Sequence, residues 1–158
     1  MPANSRFAIA VHVLTLLARA GDEPLKSDVV ACSVNTNPVV IRRILCALSK
    51  AGLVTSQTGA AGGSRLALKP RQITLREVYK AVDAGEIFSL HPQPPNAKCP
   101  VGMNIEGALD KILDEVESGV ERVLEKITIQ NVLESIEPGG ARKKRAARTR
   151  SAGKLIRA

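Results

Sequence analysis

Aromatic residues are scarce in this 158-residue chain, which has two Phe, one Tyr and no Trp. Proteins that bind single-stranded nucleic acid or sugars stack them on aromatic side chains, so this scarcity argues against both functions. Cysteine is sparse too, and its odd number, three, favours the reducing cytoplasm over a disulfide-bonded secreted protein. No apolar run reaches the roughly 18 residues that a membrane-spanning helix needs.

Catalytic patterns are missing as well. The chain has only two histidines, and its residues form no Ser/His/Asp set, no acidic pair near a histidine, no metal-ligand motif and no phosphate-binding loop. His12 falls at the edge of the first predicted helix, where a structural role is expected. The sequence therefore predicts a protein that is not an enzyme and holds no metal.

The first apolar run has two interpretations. Residues 7–18 follow Arg6 and end at an Ala-Arg-Ala sequence, which loosely imitates an export signal and its cleavage site. His12 and Thr15 interrupt the run, however, and its apolar residues recur with helical spacing. We therefore expect an amphipathic helix over residues 5–20, followed by a short helix over residues 27–34.

Residues 36–79 carry the most informative pattern. Asn37 suits a helix N-cap, Pro38 suits the first helical position, and Gly52 follows the last helical residue, Ala51. The apolar stripe of this helix consists of Ile41, Ile44, Leu45 and Leu48. The opposite face consists of Val39, Arg42, Arg43, Cys46 and Lys50. A helix that is anchored on one side and cationic on the other is suited to the major groove of DNA.

A glycine-rich turn follows this helix. Residues 53–55 and 65–68 are strand-like, and residues 59–63 between them form a tight turn readily because glycine adopts positive φ. Thr74 then caps a further helix. These elements predict a winged helix-turn-helix, mainly α-helical with a small β-hairpin. The alternative is a small α+β domain whose hairpin only covers an edge.

The candidate DNA contacts follow from this arrangement. The first turns of the recognition helix usually meet base edges, and an arginine there suits guanine or, equally well, phosphate. Lys50 is expected to touch only the DNA backbone, the glycines to shape the wing, and the start of helix one to hold phosphate. The complete set of candidates is Ser5, Arg6, Asn37, Val39, Arg42, Arg43, Lys50, Thr58, Gly62, Gly63, Ser64 and Arg65.

Charge is divided into three blocks. Residues 1–80 carry 11 basic and 4 acidic side chains, residues 81–137 carry 4 basic and 11 acidic ones, and residues 138–158 carry 8 basic and none acidic. The first block fits a polyanion, while the second would be repelled by DNA and should face away from it. The third has almost no apolar side chains, so we expect a disordered tail that attracts nucleic acid without specificity. The alternative is a solvated tail without a function.

A second, longer helix is expected over residues 104–126. Its apolar stripe consists of Ile105, Leu109, Ile112, Val116, Val120, Val123 and Ile127. Such a stripe must be buried, either on its own domain or against a second copy. We prefer a two-fold dimer, because paired winged helices read half-sites about 34 Å apart. The chain then divides into a winged-helix domain (1–83), an effector loop (84–103), a dimerisation helix with a packing helix (104–137) and the basic tail (138–158).

Several of these segments resemble the Rrf-two (Rrf2) family of bacterial winged-helix repressors, which are related to the iron–sulfur regulator IscR and the nitric-oxide sensor NsrR. The resemblance lies in residues 41–54, 59–63, 73–78 and 81–83, and it extends over about residues 4–137. It implies a homodimer that is joined through the long helix and tuned by the loop before it. Thr58, Ser64 and Arg65 are candidates for contact of the wing with the minor groove or with phosphate. Thr58 stands where the family often has a wing-tip arginine, which weakens the prediction of minor-groove reading.

The loop departs from the cluster-binding members of that family. Those members carry three loop cysteines, because an iron–sulfur cluster needs several thiolate ligands. This loop has only Cys99, to which His91 adds one imidazole, so the chain resembles the cluster-free branch and no cofactor is expected. Cys99 is either a reactive thiol that senses oxidants or a small buried residue that holds the loop. Cys32 is expected in the core, and Cys46 among the cations of the recognition helix.

The sequence thus predicts a sequence-specific DNA-binding transcriptional regulator in the cytoplasm. The specific hypothesis is a homodimeric repressor of a palindromic operator, modulated by a thiol, redox or small-molecule signal. The alternative is a nonspecific architectural DNA-binding protein, which the basic tail favours. An iron–sulfur sensor is the third interpretation.

Overall fold

The computed structural model describes residues 3–82 and 87–136, with side chains from Ser5 onward. The predicted domain boundary at residue 83, the start of the effector loop and the basic tail 138–158 lie outside the described residues.

The described residues form six α-helices, one short 3-10 helix and one two-stranded antiparallel hairpin. This confirms the predicted fold class. None of these helices combines the length and the apolar character that crossing a lipid bilayer requires. In chain order the elements are α1 (Ala3–Ala20), α2 (Ser27–Val34), α3 (Pro38–Lys50), β1 (Val54–Gln57), β2 (Gly63–Leu66), the 3-10 helix (Pro70–Gln72), α4 (Leu75–Ala81), α5 (Pro100–Glu125) and α6 (Ile129–Ile136).

One side of α1 forms the centre of the core. Ala10, Val13, Leu14 and Leu17 are all fully buried, since residues three or four apart share one face of a helix. They lie in one cluster with the buried side chains of α3 and α4. Burying an aliphatic side chain of valine or leucine size contributes about 1.5–3 kcal/mol. The run that imitates an export signal is therefore an amphipathic core helix, as its spacing predicted.

A tight turn joins α2 to α3. Asn35 has a φ of 56°, a left-handed conformation that asparagine tolerates better than most residues. Its N–H donates to the Cys32 carbonyl at 3.2 Å and ends α2. The Asn37 side chain then accepts from the Val39 N–H at 2.8 Å, so α3 begins at Pro38 as predicted. These two caps define the helix-turn-helix.

The wing hairpin gains a third, one-residue strand from an earlier loop. β1 and β2 pair in antiparallel register with Gln57 opposite Gly63. On the other side of β2, Leu25 and Ser64 exchange backbone hydrogen bonds of 2.8 and 2.9 Å. A Cβ at Gly63 would lie 2.9 Å from the Leu25 carbonyl oxygen, so only glycine fits there. Because of this pairing, β2 begins two residues earlier than the sequence predicted.

The long helix also begins earlier than expected. α5 starts at Pro100 rather than at residue 104, because proline is well suited to the first position of a helix, where the N–H has no helical partner. After α5 the chain turns back, and α6 packs against α1 with Ile129 fully buried. A bridge between Thr74 and Thr128 attaches this return to the start of α4. The arm formed by α5 and α6 is thus fastened to the winged-helix half.

Candidate nucleic-acid interface

The recognition helix α3 has two sharply different sides. Ile41 and Leu48 are fully buried, and Ile44 and Leu45 are 5 and 6 % exposed. The predicted outer residues Val39, Arg42, Arg43, Cys46 and Lys50 are all exposed. The apolar stripe therefore holds the helix to the core, and both arginines face solvent, as the periodicity predicted.

Arg42 is held by the first turn of α2. Its Nε donates to Ser27 Oγ at 3.2 Å, and its Nη2 lies 3.5 Å from Asp28 Oδ1. Arg43 and Lys50, by contrast, form no ion pair with an acidic side chain in the part of the chain that the structure describes. The outer face of α3 thus presents one restrained cation, Arg42, and two without an ion pair among the described residues, Arg43 and Lys50.

A groove of about 740 Å³ separates α3 from the wing. It brings together helix and wing residues that the sequence predicted separately. Arg65 is exposed on β2 but does not line the groove, and neither do Ser5 and Arg6 of α1. The candidates that line the groove are Arg42, Lys50, Thr58, Gly62, Gly63 and Ser64.

Among the groove residues that the sequence did not predict, three lie together at the start of α2. Lys26, Ser27 and Asp28 form the start of α2, and they line the groove beside α3 because the adjacent Leu25 is paired to the wing. The helix-turn-helix pattern was the available signal, since the first helix of such a motif crosses the DNA backbone. Nothing in the spacing indicated that an acidic residue lies next to Arg42.

Ser64 is a correction to the predicted set of contacts. The residue is only 5 % exposed, and its hydroxyl lies 2.8 Å from the Ser56 hydroxyl across the hairpin. It therefore stabilises the wing rather than presenting a free group to DNA. Gly62 has a local role as well, because a Cβ there would collide with the carbonyl oxygen of Gln57.

All three cysteines are exposed, so the core position expected for Cys32 was wrong, and so was the buried alternative for Cys99. Cys32 lies on the outer side of α2, whose core side is formed by Val30 and Ala31. Cys99 is not buried in the loop but precedes the first residue of α5 as its N-cap. Cys46 lies on the cationic side of α3, as predicted.

The Cys99 thiol has a favourable environment for ionisation. The backbone N–H groups of Gly102 and Val101 lower the pKa of Cys99 below the ordinary value of a thiol, because they stabilise the thiolate at the start of a helix. The thiolate is the nucleophilic form of cysteine. The structure therefore favours the reactive interpretation of this residue over the packing one.

Metal-binding donors are dispersed over the described residues. They include no group of three His, Cys, Asp or Glu side chains that could hold a metal ion. Cys99 and His91 are exposed in or beside the loop before α5, while Cys32 and Cys46 belong to α2 and α3. An iron–sulfur cluster needs several converging ligands, most often four cysteines. This donor set does not fit such a cluster.

A group of ion pairs joins the winged-helix half to α5. Arg76 of α4 donates to Glu121 at 2.9 Å and to Glu125 at 3.0 Å, and Lys80 Nζ lies 3.1 Å from Glu121. The hydrogen bond from Arg76 lowers the pKa of Glu121, and the same bond raises the pKa of Arg76. These contacts hold α4 and α5 in one relative orientation.

The apolar stripe of α5 is only partly covered in the protomer. Ile105, Leu109 and Val120 are half-buried, and Ile127, just after the helix, packs against the core. No residue of this 26-residue helix is buried, and Ile112, Val116 and Val123 are 56, 38 and 58 % exposed. Single exposed aliphatic side chains are common on proteins, but three on one face of a helix, beside half-buried apolar neighbours, are typical of an interface. The α5 face therefore differs in kind from the cationic face of α3.

The helix-turn-helix, the glycine-shaped wing and the groove between them, with Arg42 and Lys50 on its walls, define a winged-helix protein of the DNA-binding type. Comparisons with known proteins identify its family. The sequence profile of the Rrf2 family, described as an iron-dependent transcriptional regulator, matches residues 3–135. The chain therefore belongs to the Rrf2 family of transcriptional regulators, as its resemblance implied.

Individual relatives agree with this assignment. YwnA of Bacillus subtilis (strain 168), provisionally named an HTH-type transcriptional regulator, is 44 % identical over 131 residues, which are 82 % of this chain and 96 % of YwnA. A crystal structure of a protein provisionally described as DNA-binding has 38 % identity and a TM-score of 0.66, and the match covers 81 % of this chain and 98 % of that one. IscR from T. potens, at 22 % identity, shares the fold with a TM-score of 0.63 over 84 % of this chain and 86 % of its own.

Proposed function

We propose that the protein is a homodimeric repressor that binds a palindromic operator. The observation that carries the proposal is the two-sided helix α3, whose four apolar residues are buried while Arg42, Arg43 and Lys50 are exposed. Such a helix is held rigidly by one face and offers cations and hydrogen-bond donors with the other. Repression is assigned on the family resemblance.

In the proposed complex α3 lies in the major groove, with its first two turns at the base edges. Lys50, near the end of the helix, contacts phosphate. The wing approaches the minor groove or its phosphates through exposed residues of the hairpin, and the start of α1 contacts phosphate. The proposed contact residues are Ser5, Arg6, Asn37, Val39, Arg42, Arg43, Lys50, Thr58 and Arg65, with Gly62 and Gly63 shaping the wing.

The dimer is proposed to form through α5. Its stripe includes Ile112, Val116 and Val123, all exposed in the protomer, and a two-fold interface covers such a face on both copies at once. Burial of this apolar surface contributes about 25 cal/mol for each Å² removed from water, from which the entropic cost of association is subtracted. The ion pairs of Arg76 with Glu121 and Glu125 then hold each winged helix in a defined position relative to the interface.

The signal is proposed to act at Cys99. An oxidant or electrophile reaches its exposed thiol at the start of α5, and a change there is passed to the winged-helix half through the contacts of α5 with α4. A small molecule bound near the same loop is the alternative effector. The cytoplasm is the expected compartment, since the protein acts on DNA and carries free thiols.

We further propose that the protein binds no iron–sulfur cluster, although the family profile describes iron-dependent regulators. The loop supplies one thiolate, Cys99, and one exposed imidazole, His91, and the remaining cysteines lie on α2 and α3. Two candidate ligands in one loop are too few for an ordinary cluster site.

The second candidate function is nonspecific, architectural DNA binding. It is favoured by the block of eight basic and no acidic side chains in residues 138–158, because such a tail neutralises phosphates irrespective of sequence. Footprinting separates the two functions. A repressor protects two half-sites related by a two-fold axis, whereas an architectural protein covers every duplex alike.

The experiment begins with duplexes that the protein selects from a randomised pool. Replacing both recognition arginines, Arg42→Glu with Arg43→Glu, is expected to weaken binding to the selected duplex by at least about 100-fold, because two favourable contacts become repulsive ones. The matched control, Lys111→Glu with Lys126→Glu, makes the same change of charge at exposed positions on and just after α5 and is expected to retain binding. Unchanged affinity in the arginine variant contradicts the proposed function.

A further inference from the structure

One acidic residue lines a groove whose other charged residues, Lys26, Arg42 and Lys50, are cations. Asp28 occupies the first turn of α2, lines the groove between α3 and the wing, and has a side chain that is 71 % exposed. A carboxylate at a DNA-facing surface repels phosphate and lowers affinity for every sequence. Asp28 therefore cannot favour DNA binding by electrostatic attraction to phosphate, and a favourable role must act through another residue.

The contact of Asp28 with Arg42 uses one particular edge of the guanidinium group. Arg42 Nε donates to Ser27 Oγ at 3.2 Å, and Nη2 lies 3.5 Å from Asp28 Oδ1. Nε and Nη2 form the same side of the planar fork, so both contacts hold that side. The terminal side, formed by Nη1 and the outer N–H of Nη2, keeps its donors. A pair of parallel N–H groups is what guanine O6 and N7 accept in the major groove.

We infer that Asp28 and Ser27 are positioning residues, which hold Arg42 so that its free edge reads one guanine in each half-site. This inference rests on the proposed function and deepens it. An ion pair as exposed as this one adds little to stability, so its effect lies in orientation. A side chain that is already restrained loses less rotamer freedom on binding, which favours the partner that matches its geometry.

The same geometry separates the roles of the two neighbouring arginines. Arg42 is restrained by two contacts from α2, whereas Arg43 has no ion pair within residues 3–82 and 87–136. A free, flexible cation is suited to phosphate, whose recognition tolerates many orientations. Arg42 is therefore assigned to a base and Arg43 to the DNA backbone.

The test uses the duplex that the parent protein selects from a randomised pool, together with all its single-base-pair variants. Arg42→Ala first identifies the base pair at which discrimination depends on that arginine. Asp28→Asn is then expected to lose about tenfold of the discrimination at that base pair alone, while its affinity for an unrelated duplex stays the same or rises. Asp28→Glu, which keeps the carboxylate, is expected to restore much of the preference.

A matched control removes the same charge elsewhere. Asp22, in the turn after α1, is exposed and does not line the groove, so Asp22→Asn is expected to keep the full discrimination. Ser27→Ala removes the other contact that restrains Arg42 and does so independently of Asp28. In the double variant Arg42→Ala with Asp28→Asn, the second change is expected to have no further effect at the identified base pair, because Asp28 acts through Arg42.

The outcomes are distinguishable from failure of the proposed function. A parent that prefers no base pair in any duplex overturns the proposed function and this inference with it. A parent with clear preferences, of which Asp28→Asn retains every one, overturns the inference alone. Equal relaxation at all base pairs also overturns it, since that pattern indicates a general electrostatic effect.

Discussion

The helices α3 and α5 carry the same kind of apolar stripe, with residues three and four positions apart, but in different surroundings. Leu48 of α3 is fully buried, whereas Val123 of α5 is 58 % exposed. The stripe of α3 is covered by the core around α1, while α5 is attached to α4 partly through exposed ion pairs. Amphipathic spacing therefore predicts that one face of a helix is buried, but it does not predict which surface buries that face.

The largest expected effect is a difference in folding stability between a variant in the α3 stripe and a variant in the α5 stripe. Leu48→Ala is expected to lower the free energy of unfolding by about 2–5 kcal/mol, because it removes buried methyl groups and leaves a cavity. Val123→Ala removes mostly exposed surface, so in dilute protein it is expected to stay within about 0.5 kcal/mol of the parent. Urea unfolding of both variants measures the difference. Equal losses at low protein concentration would show that the α5 stripe is already covered within one protomer.

The next prediction concerns the partner of the α5 stripe. Ile112→Asp with Val116→Asp places two carboxylates on the exposed face and is expected to yield folded monomers, with operator affinity lower by about 100-fold or more because two linked half-sites become independent. Light scattering and a gel-shift titration measure the two effects. Lys111→Glu changes the charge of α5 by the same amount beside the stripe and serves as control. A variant that remains dimeric would assign the interface to another surface.

A smaller effect is expected at the start of α5. In a protein whose Cys32 and Cys46 are replaced by serine, peroxide is expected to weaken operator binding several-fold through Cys99, because its lowered pKa increases the thiolate fraction at neutral pH. The added change Cys99→Ser should abolish this response. Titrating DNA before and after oxidation measures it, and equal loss of binding in both proteins rules out sensing by Cys99.

The smallest effect concerns the ion pairs that join α5 to α4. Because Arg76 lowers the pKa of Glu121, the stabilisation from Glu121 is complete at neutral pH and is lost as the pH falls through the lowered pKa. Glu121→Gln is therefore expected to be slightly less stable than the parent at neutral pH, with the difference shrinking toward acid pH. Urea midpoints over a pH series measure this, with Glu115→Gln, on the same helix, as control. A difference independent of pH contradicts the prediction.

Much of the fold was predictable because local interactions specify it. Asn37 and Pro38 place the start of α3 within one residue, since a cap and a proline act only on their own turn. The stripe of α3 and the outward position of Arg42 and Arg43 follow from helical spacing alone. The start of α5 was placed four residues late, because the predicted effector loop ran to residue 103 and so included Pro100, which is the first helical residue.

The sequence by itself determined the helices, the turn between α2 and α3, the wing and the family, because caps, glycines and apolar spacing act over a few neighbouring residues. Only the tertiary structure placed Asp28 beside Arg42, buried Ser64 in the wing and exposed Cys32 and Cys99. These features depend on which surfaces of distant segments meet. Contacts between distant segments result from the packing of the whole core, and no single stretch of the chain encodes them.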